Sequence, residues 1–331
     1  MVKPIVSIAM VTYNHAPYIV EAIEGVLRQK TGFPIELVIG DDYSTDRTRE
    51  IILDYQKKNP EIIRIIPSDK NVGAKKNFFR TTKSCRGKYI AFCEGDDYWH
   101  PADKLHKQVE YLESHPKCGL LFTDCDVYYD GSGKVDKNYN RSKGFVSPVN
   151  LTIEQIMGDG LIKWTCTAII RRSLFETIVE SDPILHQSGK FLMGDTQIWT
   201  EAALVSDVFY IPETSATYRR LGESASRSDN PVKRWQFWKS AAEMKLYLCD
   251  KHKLPEKIRQ KQEAAWCDFS LWLAFYTQNA ALAEEVRKKK EAFSWKEWLR
   301  YFGAKNIMVW HAYLAVSRFC GLFRKKNDQA L

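Results

Sequence analysis

Acidic and amide side chains follow three apolar segments of the chain, where three predicted strands end. Parallel strands bring such residues to one edge of a sheet, which is where open α/β folds bind their ligands. Asp and Asn also cap helices and form turns, so each residue alone has an ordinary structural interpretation. Their recurrence at three strand ends favours a ligand site. The residues are Thr12 to Asn14, then Asp41, Asp42 and Asp46, then Glu94 to Asp97.

Asp96 and Asp97 are the strongest of these signals. Two adjacent carboxylates repel each other unless a cation or a set of donors neutralises them, and Mg²⁺ and Mn²⁺ prefer oxygen ligands. A divalent ion with few protein ligands keeps positions open for substrate phosphates. The pair therefore predicts a divalent cation site suited to a diphosphate leaving group. The alternative is a solvated acidic turn before Pro101.

The elements that must position these residues alternate between strand and helix. Segments with helical periodicity separate four apolar runs. Strands that are apolar throughout predict a mostly parallel sheet covered on both faces by helices. The four runs are Ile5 to Val11, Ile35 to Ile39, Ile62 to Ile66 and Tyr89 to Cys93.

The alternation loosens after the fourth strand. Further strands are expected near residues 119–123 and 208–211, whereas the polar stretch 130–150 is typical of a mobile surface loop. From about residue 231 onward Gly is rare and the periodicity is helical throughout. The sequence therefore predicts an α/β domain over residues 1–230 and a helical C-terminal module over residues 231–331.

The distribution of charge agrees with this division. The chain of 331 residues has 49 Lys and Arg and 41 Asp and Glu, a net charge of +8. Residues 1–230 hold 29 basic and 31 acidic side chains (−2), and residues 231–331 hold 20 and 10 (+10). A basic excess confined to the last third argues against nucleic acid as a partner of the whole chain.

Cysteine spacing and the N-terminus indicate the compartment. The eight Cys show no CxxC pair and no zinc-ligand spacing, so we expect reduced thiols. The segment MVKPIVSIAM lacks the features of a signal peptide, and no run is long and apolar enough to cross a bilayer. We therefore expect a cytoplasmic protein.

Six short motifs resemble those of a family 2 glycosyltransferase with the GT-A fold. Each motif alone is weak, but their order and spacing over about the first 230 residues are specific, and the helical tail is not part of the pattern. The motifs are VTYNH (11–15), GDDYSTDRT (40–48), NVGAKKN (71–77), EGDDYW (94–99), GDTQIW (194–199) and TYRRLGESASRS (217–228).

The resemblance implies a nucleotide pocket built from the first three motifs. An Asp that accepts a hydrogen bond from the imide N3 of uracil suits that base, because cytosine has no donor there. Residues of the first loop line the pocket, and a basic residue lies near the nucleotide. The corresponding positions are Asp41 and Asp42 for the base, Thr12 and Asn14 for the loop, and Lys76, next to Lys75, for the cation.

The fourth motif implies a ribose contact at Asp96 and a metal ligand between the phosphates at Asp97. Glu94 stands where a strict Asp-x-Asp pattern has its first Asp. We therefore expect Asp97 to be the first metal ligand and Asp96 the second, with Mn²⁺ or Mg²⁺ as the ion.

The last two motifs carry the implied chemistry. Asp195 matches the segment that supplies the general base, which deprotonates the acceptor hydroxyl as it attacks the anomeric carbon. The alternative is a helix-start carboxylate that interacts with the helix dipole. The sixth motif matches a loop that closes over the diphosphate, where Arg219 and Ser226 would stabilise the departing charge.

Together these roles imply an inverting, metal-dependent transferase that moves a sugar from a nucleotide diphosphate, with a UDP-sugar favoured. The acceptor would be a hydroxyl of a glycan or of a lipid-linked intermediate in surface polysaccharide synthesis. A sugar nucleotidyltransferase and a non-catalytic scaffold with a decayed donor site stay open as alternatives. The first normally has a Gly-rich phosphate loop, which VTYNHAPYI lacks. The joint presence of Asp42, Asp97 and Asp195 argues against the second.

The tail has an apolar stripe in a basic context. The segment Ile307 to Phe323 is too short and too polar to span a bilayer. Together with Lys325 and Lys326 it fits a helix lying on an anionic membrane, which would make the protein peripheral on the cytoplasmic face of the plasma membrane. The stripe equally fits packing on the catalytic domain or in a homodimer. It consists of Val309, Tyr313, Val316, Cys320 and Phe323.

Overall fold

The chain forms two compact units, Met1–Gly222 and Glu223–Leu331. The computed structural model describes residues 3–158, 160–222, 224 and 227–319. Some residues singled out by the sequence analysis lie outside this description. They are Ser226, Cys320, Phe323, Lys325, Lys326 and the side chain of Val316.

One sheet organises the first unit. Its strands are β1 (Val6–Thr12), β2 (Ile35–Asp41), β3 (Ile63–Ile66), β4 (Tyr89–Phe92), β5 (Tyr98–Trp99), β6 (Cys118–Tyr129), β7 (Lys134–Asp136), β8 (Val149–Asn150), β9 (Ile169–Arg171) and β10 (Asp207–Arg220). Their order across the sheet is β3-β2-β1-β4-β9-β6-β10-β5, with β7 paired to β6 and β8 paired to β10.

The sheet is mostly parallel, as predicted. Strands β3, β2, β1 and β4 are parallel neighbours, and so are β6 and β10. Strand β9 is antiparallel to both β4 and β6, and β5 is antiparallel to β10. In the β1–β2 register Thr12 lies opposite Asp41, so the first two strands end side by side.

Helices and apolar cores account for the continuous apolar runs. Val6, Ile8 and Met10 of β1 belong to one buried core, and Ala9 belongs to a second one with Phe92. A strand buried on both faces has little reason to alternate polar and apolar residues. The helices are α1 (Ile19–Leu27), α2 (Thr48–Lys58), α3 (Ala74–Lys83), α4 (Lys104–Ser114), α5 (Ile153–Met157), α6 (Arg172–Ser181), α7 (Pro183–His186) and α8 (Thr196–Val205), with 3₁₀ turns at Arg141–Lys143 and Thr165–Thr167.

Residues 130–150 differ from the predicted mobile loop. They include β7, and Asp124 on β6 accepts hydrogen bonds from the backbone N–H groups of Asn140 (2.9 Å) and Arg141 (3.0 Å). The buried Asn140 side chain in turn bonds both the N–H and the carbonyl oxygen of Ile162, each at 2.9 Å. Buried polar partners elsewhere in the chain therefore fix a segment whose composition is that of a loop.

The second unit is helical. Asn230 caps its first helix by accepting from Val232 N–H at 2.9 Å, and the capping box of Ser294 and Glu297 starts another. Trp235 and Trp272 stack in its core at a centroid distance of 5.3 Å. Its helices are α9 (Pro231–His252), α10 (Glu256–Thr277), α11 (Ala280–Lys289), α12 (Trp295–Lys305) and α13 (Ile307–Phe319).

The described half of the tail stripe is a packing surface. The Tyr313 ring packs edge-on against Phe275 at 4.8 Å, and Val309 is half-buried. Through the range that the structure describes, we find no helix with the length and apolarity needed to cross a membrane.

Candidate active site

The loops after β1 and β2 are tied together by hydrogen bonds. Asn14 has a left-handed backbone (φ 55°), donates from its N–H to Ser44 Oγ (3.0 Å) and accepts from Thr45 N–H (2.8 Å) at its side-chain oxygen. The Thr12 carbonyl oxygen accepts from Asp42 N–H at 3.0 Å. Thr12 Oγ1 is buried and has no hydrogen-bond partner among the described residues. The structure therefore brings together the first two predicted parts of the donor pocket.

Asp41 and Asp42 are both buried, and the protein already engages their carboxylates. Asp41 accepts from Ser44 Oγ (2.5 Å) and from Arg49 Nε (2.8 Å). Asp42 accepts from two backbone N–H groups, those of Val72 (2.8 Å) and Gly73 (2.9 Å). Asp42 thus holds the segment before α3 against the sheet. Contact of either carboxylate with a uracil base stays a prediction.

The turn Glu94 to Asp97 after β4 packs closely on β1. Gly95 N–H donates to the Val11 carbonyl oxygen at 2.9 Å, and a Cβ at Gly95 would lie 2.7 Å from Thr12 Oγ1. A side chain at position 95 would therefore displace Thr12. This contact joins the third predicted strand end to the first.

Within this turn, Asp96 and Asp97 have different environments. The Asp97 side chain is buried and accepts from Arg219 N–H at 2.8 Å. Burial, together with nearby Cys166, Asp96 and Glu94, raises its pKa well above the usual value. The Asp96 side chain is 19% exposed, and its Oδ1 lies 3.9 Å from His15 Nδ1. Asp97, expected to be the first metal ligand, is thus more buried than Asp96, and the ligand order stays a prediction.

Arg219 also differs from its predicted place. It lies in β10 rather than in a loop, and its guanidinium is buried, where it donates to the Asp96 carbonyl oxygen (2.6 Å) and to the Glu21 carboxylate. The rings of Tyr18 and Tyr98 lie 4.9 Å from the guanidinium carbon. Arg219, paired with Glu21, holds the acidic turn in place, and its contact with a diphosphate stays a prediction. Ser226, its predicted companion, lies outside the described residues.

Asp195 is the N-cap of α8 and is half-buried. Its Oδ1 accepts from Thr196 N–H (2.5 Å), and its Oδ2 accepts from the Thr165 hydroxyl (3.0 Å). The contact of Thr165 with Asp195 was not predicted, because no pattern in the sequence distinguishes a threonine in a 3₁₀ turn. Asp195 therefore lies at the start of a helix, as the structural alternative proposed. Its role as general base stays a prediction.

Glu94 connects Asp195 with the turn after β4. Burial first, then Asp96 and more weakly Asp195, raises the pKa of the Glu94 carboxyl to about 8. Its Oε2 is buried without a hydrogen-bond partner in the part of the chain that the structure covers. Glu94 and Asp96 of one turn thus share an electrostatic environment with Asp195, which is about a hundred residues further along the chain.

The two lysines of the third motif have separate environments. Lys76 is exposed at the start of α3. Lys75 is half-buried, and its Nζ donates to the carbonyl oxygens of Leu185 (3.1 Å) and Phe191 (2.8 Å). Burial lowers the pKa of Lys75 to about 8. Lys75 therefore links α3 to the segment that leads into Asp195, a role the sequence did not indicate.

The residues present suit a cation that takes only a few of its ligands from the protein. Among the described residues, no group of three or more His, Cys, Asp or Glu side chains is placed to hold a metal ion. Asp96 has a partly exposed carboxylate, and the buried Oε2 of Glu94 has no hydrogen-bond partner in the described part of the chain. A hard divalent ion at Asp96 would take its other ligands from substrate oxygens and water.

The sequence matches the family model described as glycosyl transferase family 2 over residues 7–179. This match covers more than half of the chain, and the protein therefore belongs to glycosyl transferase family 2.

Curated relatives agree with this family. The chain is 31% identical over 238 residues to an uncharacterized protein, Rv1520, of Mycobacterium tuberculosis, with 71% of this chain and 64% of the relative covered. It is also 31% identical over 160 residues to the putative teichuronic acid biosynthesis glycosyltransferase TuaG of Bacillus subtilis, with 48% of this chain and 60% of the relative covered. The match thus spans somewhat less than two thirds of each relative's length.

A solved structure shares the fold. The crystal structure of S. aureus TarS residues 1–349 in complex with UDP-GlcNAc is similar with a TM-score of 0.57 at 18% identity, and the match covers 90% of this chain and 79% of that one. At this identity the likeness shows the GT-A type fold alone.

Proposed function

We propose that this protein is an inverting, metal-dependent glycosyltransferase. It moves a sugar from a nucleotide diphosphate donor, preferentially a UDP-sugar, to a hydroxyl of a glycan or lipid-linked acceptor in cell-surface polysaccharide synthesis. The observation that carries the proposal is the convergence of Glu94, Asp96 and Asp195 beside the loops after β1 and β2, which we call the donor loops. Such a cluster of like charges suits a site that is completed by a cation and a substrate.

The donor end is assigned to the loops after β1 and β2. Thr12 Oγ1 is buried there without a partner within the described residues. Asp41 lies opposite Thr12 in the sheet register, and Asp42 N–H donates to the Thr12 carbonyl oxygen. The TarS relative binds UDP-GlcNAc, which supports a uridine donor. The name of TuaG supports a surface glycan as the product.

The cation is assigned to Asp96 rather than to Asp97. Asp97 is buried against Arg219 N–H, whereas the Asp96 side chain is partly exposed. When bound, Mn²⁺ or Mg²⁺ would neutralise the negative charge that develops on the leaving diphosphate. Arg219 keeps the turn in place by bonding the Asp96 carbonyl oxygen.

Asp195 is assigned the role of general base. As the acceptor oxygen attacks the anomeric carbon, its proton passes to the Asp195 carboxylate, and the bond from the anomeric carbon to the phosphate oxygen breaks. One displacement inverts the configuration. The Thr165 hydroxyl and Thr196 N–H hold the carboxylate in place, which limits its rotation.

A thermal-shift assay on the full chain tests the proposal. We expect UDP to raise the melting temperature only when Mn²⁺ is present, because a ligand that binds the folded state stabilises it. CDP is the matched control, since cytosine lacks the N3 donor. Stabilisation by UDP without metal, or equal stabilisation by CDP, would contradict the cation or the base assignment respectively.

Transfer itself needs a separate measurement. With a UDP-sugar, Mn²⁺ and a glycan acceptor, NMR should show a product whose anomeric configuration is opposite to that of the donor. A product with retained configuration would exclude the single displacement.

A further inference from the structure

The outer surface of α12 and α13 has large apolar side chains exposed to solvent. Trp295 is 72% exposed, Phe302 51%, Ile307 52% and Met308 73%. Trp298 stacks on Phe302 with ring centroids 5.4 Å apart, so these two aromatic residues lie on neighbouring turns of α12. We call Trp295, Phe302, Ile307 and Met308 the outer face.

The opposite sides of both helices are already used for packing. On α12, Tyr301 and Ala304 are buried in the core of the helical unit. On α13, Trp310 and Tyr313 pack around Phe275. The outer face is therefore not the side by which these helices join their own unit.

The exposed positions of α13 form a continuous strip. Ile307, Met308, His311, Ala312 and Ala315 are exposed and follow the spacing i, i+1, i+4, i+5 and i+8. This strip contains no acidic residue. It also differs from the stripe predicted from the sequence, whose described members Val309 and Tyr313 point toward the core or are half-buried.

The sequence around α12 and α13 has an excess of basic residues. Between Glu297 and Asp328 the sequence has no acidic residue, and it contains six basic ones. Among the described residues, Arg300 is paired with Asp268, Lys305 with Glu284 and Lys290 with Glu297. The six basic residues are Arg300, Lys305, Arg318, Arg324, Lys325 and Lys326.

We propose that the outer face docks on an anionic lipid bilayer surface. Aromatic and aliphatic side chains on a basic helical surface insert at the boundary between headgroups and acyl chains, while cations approach the lipid phosphates. Ile307 and Met308 have no ring for base stacking, so acyl chains suit them better than nucleic acid does.

A second copy of the chain fits less well. A twofold contact places the same surface against itself. Each copy would contribute a segment that has six basic residues and no acidic one between Glu297 and Asp328. An anionic surface removes this repulsion, whereas self-association increases it.

Vesicle sedimentation of the full-length protein tests the proposal. We expect binding to vesicles of phosphatidylcholine and phosphatidylglycerol at roughly 3:1, little binding to phosphatidylcholine alone, and weaker binding as salt rises from about 0.05 M to about 0.5 M. The double variant Phe302→Ser, Met308→Ser should bind about tenfold more weakly or worse. The matched control is Val205→Ser, which replaces a 70% exposed apolar residue on α8.

Folding and oligomeric state separate the outcomes. The double variant should keep the wild-type melting temperature, because both replaced side chains are exposed. If full-length protein ignores both vesicle types, or if the double variant binds as well as wild type, the proposal is wrong. If a chain ending at residue 319 loses all binding while the double variant keeps it, the last residues carry the binding instead. A dimer that the double variant disrupts, without vesicle binding, would assign the face to self-association.

Discussion

Two neighbouring regions of the first unit differ in how far the protein stabilises the charge of their carboxylates. In the donor loops, Asp41 and Asp42 each accept at least two hydrogen bonds from nearby protein groups. In the carboxylate cluster, which we define as Glu94, Asp96, Asp97 and Asp195, Asp195 is hydrogen-bonded in the same way, but burial and like charge raise the pKa values of Glu94 and Asp97. Protein groups already stabilise the charges of the donor loops. In the carboxylate cluster, the repulsion between like charges decreases only when a cation or a proton binds.

This contrast separates stability from function. Removing a satisfied carboxylate from the donor loops leaves backbone N–H groups without an acceptor and destabilises the fold. Removing the Glu94 or Asp96 carboxylate relieves repulsion, and we expect it to cost function instead. The following predictions test this division, in order of decreasing expected effect.

The largest effect is expected for Asp195→Asn. Asn caps helices as well as Asp does, so α8 should persist while the proton acceptor is lost. Turnover should fall by roughly 10²-fold or more, and donor affinity should stay within about a factor of three, as measured by steady-state kinetics and calorimetry.

Asp182→Asn is the matched control for that variant. Asp182 also caps a helix, by accepting from Leu185 N–H at 2.9 Å, and has no assigned role in the chemistry. A collapse of donor binding in Asp195→Asn would make Asp195 structural. Full turnover would place the base elsewhere, although Glu201 is a poor replacement because it is buried against His186 at 2.7 Å.

The next effect is expected for Asp96→Ala. UDP affinity in the presence of Mn²⁺ should fall by about thirtyfold, since the outward cation ligand is lost. The stability of the ligand-free protein should stay within about 0.5 kcal/mol or rise, because a repelling charge is removed. Calorimetry and urea denaturation measure the two quantities.

Asp97→Asn and Asp54→Ala complete this test. Asp54 lies on α2 with its side chain 58% exposed and should be neutral in both assays. Loss of metal-dependent UDP binding in Asp97→Asn, with Asp96→Ala unaffected, would restore the ligand order inferred from the sequence.

The sequence predicted the frame of this contrast but not its details. Runs such as Val6 to Met10 revealed buried parallel strands, and the strand-end rule brought Thr12, Asp41 and Asp96 to one edge. It could not reveal which carboxylate is buried, because Asp97 is covered by the backbone of Arg219, far along the chain. Nor could it reveal that a Thr165 hydroxyl reaches Asp195. Such contacts depend on strand order, which local patterns do not encode.

A stability effect of about 2 kcal/mol is expected for Asp42→Ala, because the N–H groups of Val72 and Gly73 lose their acceptor. Urea denaturation of the ligand-free protein measures it, and Asp42→Asn, which keeps one acceptor oxygen, should lose about half as much. A variant with wild-type stability that fails to bind UDP would show that Asp42 contacts the base directly and that the donor loops are held by other groups.

The smallest effect concerns Lys104, a buried cation next to the 3₁₀ turn that carries Thr165. Its Nζ donates to Gln108 Oε1 (2.8 Å) and to the Thr167 carbonyl oxygen (3.2 Å), and burial lowers its pKa to about 8 from 10.5. Between about pH 8 and 10.5 the unfolded chain binds more protons than the folded chain, so this lysine makes stability rise with pH in that window.

Lys104→Met removes the titrating group. Its unfolding free energy relative to wild type should therefore fall by about 1 kcal/mol between pH 8 and pH 9. Lys57→Met, at an exposed position on α2, should show no such change. If the difference in unfolding free energy between wild type and Lys104→Met stays constant with pH, Lys104 keeps its charge in the folded protein. The destabilised charges would then be confined to the carboxylate cluster.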